Sequence, residues 1–122
     1  DDATITQMLK DSIEHAEEDV AARKLAELRV EAGQLLENLS AALAADGDAL
    51  LNDAERAQID SAMAALQNQL GGEDPAALRL EIDALAQQTE QFAARRMDRS
   101  IKQALAGVTL DSLANKEEHS DD

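Results

Sequence analysis

Apolar residues recur along this chain at alternating steps of three and four. From Leu25 the pattern reads Leu25, Leu28, Ala32, Leu35, Leu39, with Leu36 and Leu43 widening it; from Leu78 it reads Leu78, Ile82, Leu85, Thr89, Phe92. Such spacing puts each set of side chains on one side of an α-helix. A seam this narrow is buried only by packing against another helix. The pattern therefore predicts an all-α protein: a long N-terminal helical arm followed by a three-helix bundle.

The same pattern sets the elements. A first segment runs from Thr4 to Ala45 without a Pro, with Thr4 or Thr6 able to cap its start. Its first part carries the stripe Ile5, Met8, Leu9, Ile13, Ala16 and Val20. Acidic residues crowd Glu14 to Asp19, a place for a bend or a boundary between two helices. Asp46-Gly47-Asp48 reads as a loop, with Gly47 suited to a positive φ. Asn52 opens the next helix and pairs with Glu55 as a capping box. That helix buries Ile59, Ala62, Met63, Leu66 and Leu70, and Gly71-Gly72 ends it. Asp74-Pro75 starts a last helix, since Pro at the first helical position loses no hydrogen bond. It carries the second seam and continues through Met97, Ile101 and Leu105 to Gly107. Val108 to Leu113 reads as a short turn, and residues 114–122 as a disordered acidic tail.

Counting faces exposes an imbalance. The Leu25–Leu43, Ile59–Leu70 and Leu78–Phe92 faces close a three-helix core over residues 21–113. The stripe within residues 1–20 is left without a partner in its own chain. Ile5, Met8, Leu9 and Ile13 are thus the candidate partner-facing residues, awaiting another domain, another copy or a client. Such an exposed helix is expected to drive self-association.

Composition narrows the function. The chain has 122 residues, enough for one modest core, and its only aromatic is Phe92. Cysteine is absent, which removes disulfides and thiolate metal sites. No run approaches a membrane span. The formal charge of −15 argues against nucleic acid, because phosphate recognition needs clustered Lys and Arg. Arg95, Arg96, Arg99 and Lys102 form one basic patch, which complements a helix C-terminus. The start at Asp1-Asp2-Ala3, with neither initiator Met nor signal peptide, suggests a piece of a longer soluble protein.

Nothing in the chain reads as an active site. Asp11, His15 and Asp19 share a helix face, but no second cluster completes a metal site there. In Asp46-Gly47-Asp48, Leu50 and Leu51 occupy the places of a calcium ligand and the turn glycine. Gly-rich phosphate loops and nucleophile–base pairs are missing too. Asp111-Ser112-Leu113 has the form of a phosphopantetheine attachment motif, yet the helix that should follow it is absent. No catalytic residue and no cofactor are assigned to the chain.

The order of segments and several stretches resemble the C-terminal helical lid of the DnaK-type (70-kDa heat-shock) chaperone family. Met8-Leu9-Lys10-Asp11-Ser12, His15-Ala16-Glu17, Leu35-Leu36-Glu37 and Phe92-Ala93-Ala94-Arg95-Arg96-Met97-Asp98 look most like its HscA branch, which serves iron–sulfur cluster assembly. The resemblance covers nearly the whole chain, and its most specific part is Phe92 to Asp98.

The resemblance implies an ATPase domain, holding ATP and Mg, and a peptide-clasping β-sandwich, both preceding Asp1. The helical part would lie over the peptide cleft, with the arm stripe packed on the sandwich. It also implies an IscU-like client, bound through a Leu-Pro-Pro-Val-Lys segment, and an HscB-like co-chaperone. At the positions where DnaK bears a latching Asp and His, a gapless comparison places Gly33 and Glu37. That latch is not reproduced, and the two positions are left for different lid contacts. The competing reading is a free-standing helical adaptor or coiled-coil protein that uses the same stripes to join partners.

Overall fold

Among the described residues the computed structural model forms four helices: α1 Asp2–Leu50, α2 Asp53–Leu70, α3 Pro75–Gln88 and α4 Glu90–Ser120. It describes the backbone of residues 1–120 and the side chains of residues 1–108. The all-α reading holds. Several of the expected boundaries move, each for a local reason.

The first segment is one helix of 49 residues, about 73 Å long at 1.5 Å per residue. Asp1, and not Thr4 or Thr6, caps its start by accepting from the Ala3 N–H at 3.3 Å. No boundary falls at Glu14 to Asp19: those side chains are exposed, so water screens their crowding and the backbone ladder runs on. Nor does the helix stop before Asp46-Gly47-Asp48. It continues to Leu50, and no glycine takes a positive φ. Gly47 serves a different need, since a Cβ there would stand 2.7 Å from the Arg56 guanidinium. The extra turn brings Leu50 and Leu51 against the core.

Helix α2 starts as expected: Asn52 Oδ1 accepts from the Glu55 N–H at 2.8 Å, and Glu55 accepts in return from the Asn52 N–H at 3.1 Å. Two carbonyls at its far end, those of Leu70 and Gly72, accept from the Arg29 guanidinium on α1. Asp74 caps α3 through the Ala76 N–H at 3.0 Å, with Pro75 at its first position.

The second seam does not lie on one helix. It divides at Thr89, whose hydroxyl donates to the Leu85 and Ala86 carbonyls at 3.0 and 3.1 Å. Such back-bonding competes with the helical ladder and bends or breaks it. Helix α4 then passes Gly107 and reaches Ser120, replacing the turn expected at Val108 to Leu113. One interior glycine costs only about 1 kcal/mol, and no Pro follows to stop the helix. The disordered tail expected over 114–122 is likewise replaced by helix through Ser120, and its last two residues lie outside the described ones.

The core is the predicted one. Leu28, Ala32, Leu36, Leu39, Ala42 and Leu43 of α1 meet Ile59 and Leu66 of α2, Leu78, Ile82 and Leu85 of α3, and Phe92 of α4. Leu66, Leu78 and Leu85 are fully buried, so the bundle closes on the face of α1 between Leu28 and Leu43. Met97, Ile101 and Leu105, read as a continuation of the seam, are exposed instead, because the break at Thr89 redirects α4.

Leu85→Ala should lower unfolding stability in urea by about 2–5 kcal/mol, the range for a large-to-small change in a closed core. Gly33→Ala should do the reverse and raise it by about 0.5–1 kcal/mol, because the added methyl meets open space within a helix.

Candidate partner-facing surface

Ile5, Leu9 and Ile13 lie on one line of α1 with Met8 beside it, and all four are open to solvent: Ile5 is 56% exposed, Met8 65%, Leu9 61% and Ile13 59%. Their direction follows from helical geometry. At 3.6 residues per turn, the mean direction of Ile5, Leu9 and Ile13 lies roughly 140° around the axis from that of Leu28, Ala32, Leu36, Leu39 and Leu43. One helix thus presents two apolar faces pointing different ways. The bundle closes on one of them and leaves the other uncovered.

Where the arm meets the bundle, the stripe runs into a groove of about 990 Å³. One wall is Ile13, Ala16, Val20 and Ala21 of α1, and the other is Pro75, Ala76 and Leu80 of α3. Glu17, Lys24, Asp74 and Arg79 edge it. The lining is mainly apolar with charged edges, which suits an amphipathic segment.

Sequence reasoning did not find this groove, because its walls come from positions more than fifty apart. One signal was available. Leu80 is out of register with Leu78, Ile82 and Leu85, so it must point away from the core, and it is 69% exposed.

Gly33 and Glu37 are not brought together with the arm. They lie some twenty residues further along α1, about 30 Å away. Gly33 is half-buried beside open space, and Glu37 is exposed.

The basic patch does complement a helix C-terminus, but that of α1 and not its own. Arg95 donates to the Leu50 carbonyl at 2.9 Å and pairs with Glu55 at 2.8 Å. Arg96 and Arg99 converge on Asp46 at 2.7 and 3.1 Å. These contacts fasten the start of α4 over the α1–α2 junction, so the cluster is structural cement and not a free docking surface. The hydrogen bond from Arg95 holds the Glu55 carboxyl below its ordinary range and raises the Arg95 guanidinium.

Other candidate chemistry is dispersed. His15 lies 3.6 Å from Glu18 with both side chains exposed. Among the described residues no three His, Asp or Glu side chains gather as metal ligands. None of the described helices is long and apolar enough to cross a membrane. The Ser112 side chain lies outside the described residues.

Comparison with known proteins matches this sequence to a family. The model of the Hsp70 protein family matches residues 1–98. The chaperone protein HscA of Yersinia enterocolitica is 53% identical over 112 residues, which is 92% of this chain and 18% of that protein. The HscA homologues of Shewanella putrefaciens and Ralstonia pickettii are 50% and 51% identical, with the same coverage. The chain thus spans about a fifth of the length of these relatives.

The Glu55 contacts predict an acid-sensitive clamp. Its carboxyl is depressed in the fold, so its contribution is present above the ordinary carboxylate range and is lost as pH falls through the lowered value. Unfolding midpoints measured by circular dichroism at stepped pH should therefore drop more steeply in acid for the wild type than for Glu55→Gln.

Proposed function

The chain belongs to the Hsp70 family, and from that premise we propose that it is the helical lid subdomain of an HscA-like chaperone. Its task in that reading is to cover the peptide-binding cleft of a neighbouring β-sandwich. The observation that carries the proposal is the arm stripe Ile5, Met8, Leu9 and Ile13, exposed and turned away from the bundle that the chain builds for itself.

A lid needs a rigid lever, a face that grips what it covers and a body that folds independently of the grip. Helix α1 supplies the lever without interruption from the arm into the core. The stripe supplies the grip, and the bundle holds itself together on the opposite side. Family membership weighs against a free-standing adaptor.

The ATPase activity, with its ATP and Mg, would reside outside this chain, which offers no phosphate loop. The resemblance to HscA extends the proposal to iron–sulfur cluster assembly in the cytoplasm, with an IscU-like client and an HscB-like co-chaperone. Gly33 and Glu37 stand where a latch would be. A glycine and a glutamate there make closure depend chiefly on apolar contact through the arm.

Peptide release from the full-length chaperone tests this reading. Removing the segment, or introducing Ile5→Asp/Leu9→Asp within it, should speed dissociation of a fluorescent client peptide by roughly tenfold or more, the equivalent of about 1.4 kcal/mol of lost closure. Unchanged release in both variants would overturn the lid assignment.

A further inference from the structure

We propose that the groove at the base of the arm receives the arm tip of a second copy of this chain, giving an antiparallel twofold dimer. The proposal goes beyond the lid reading, because it concerns what the chain does when its arm is free. The groove and the stripe form one surface: Ile13 belongs to both, and the walls beyond it are Val20 of α1 and Leu80 of α3, 64% and 69% exposed.

A twofold axis beside Ile13 puts Leu9 of one copy opposite Glu17 of the other, Ile5 opposite Ala21 and Asp2 opposite Lys24. Each tip then fills the other's groove, and the contact is isologous and closed. Six apolar side chains per copy (Ile5, Met8, Leu9, Ile13, Val20 and Leu80), all more than half exposed, leave water in this arrangement. With the two arms lying along one another, such a contact approaches the ~800 Å² per partner of a stable interface.

Charge selects the second copy and its direction. The tip begins with Asp1 and Asp2, whereas the base carries Arg23 and Lys24. Neither cation has a carboxylate within ion-pair distance among the described residues. Antiparallel arms bring those opposite charges together twice. In the same register the five carboxylates from Asp11 to Asp19 face His15, Ser12 or uncharged positions, so none opposes another. Parallel arms would instead stack the acidic stretch on itself.

Sedimentation equilibrium and cysteine cross-linking test the proposal on the whole chain, which has no native cysteine. The wild type should dimerise, and Ile5→Asp/Leu9→Asp and Leu80→Asp should each be monomeric with unchanged helical circular dichroism. Lys24→Glu should weaken the dimer by roughly tenfold, and adding Asp2→Lys should restore most of that loss. Under oxidation Ile13→Cys should cross-link to itself, while Ile5→Cys should link to Ala21→Cys in a mixture and not to itself. A wild type monomeric at hundreds of micromolar, a Leu80→Asp dimer of full strength or ready linkage of Ile5→Cys to itself would each overturn the proposal. Peptide release by the full-length chaperone is a separate measurement, so failure here leaves the lid reading standing.

Discussion

The architecture depends on a mismatch of lengths. Helix α1 has 49 residues, whereas α2 and α3, which build most of the core against it, have 18 and 14. At 1.5 Å per residue that is about 73 Å against about 27 and 21 Å, so the bundle covers only the C-terminal half of α1. The arm is what remains. It persists because an α-helix satisfies its own backbone hydrogen bonds and propagates cooperatively from a buried half. The seam from Leu28 to Leu43 thereby anchors both the core and the lever.

The uncovered half is not a polar spacer. It carries Ile5, Leu9 and Ile13 on a face rotated well away from the core, next to a groove walled partly by α3. Isolated exposed leucines need no explanation, but an aligned set at helical spacing does. In the proposed lid reading a neighbouring domain would cover that set. In the proposed dimer another copy would. Both readings use the same stripe and exclude one another at any one arm, because a helix face can be covered only once.

Polar residues control the helix ends and joins in this Ala- and Leu-rich chain. Arg29 satisfies the Leu70 carbonyl that ends α2 and the Gly72 carbonyl just beyond it, and Arg95 takes the Leu50 carbonyl of α1 while gripping Glu55. Arg96 and Arg99 share Asp46. Individually such half-exposed pairs stabilise little. Their effect is geometric: beyond Phe92, helix α4 buries no large side chain among the described residues, so these arginines set where it starts and which way it leaves.

Periodicity, caps and composition sufficed for the all-α class, the core residues and the orphan stripe. Each is a property of spacing along one helix or of a cap within four residues: Asn52 with Glu55, Asp74 with Pro75, Leu28 with Leu36. What failed was decided either by contacts across the chain, as at Gly47, or by a local hydrogen bond that spacing does not show, as at Thr89. The sequence made Gly47 a helix terminator, but its lack of a side chain is used to admit Arg56. Thr89 was read as one more position on a seam, and its hydroxyl divides the helix there. The groove between Val20 and Leu80 was invisible because neither wall is a site until α1 and α3 are packed. Local spacing determines which side chains share a face. Only the folded chain decides which faces meet, since that is settled by competition among distant surfaces for the same buried space.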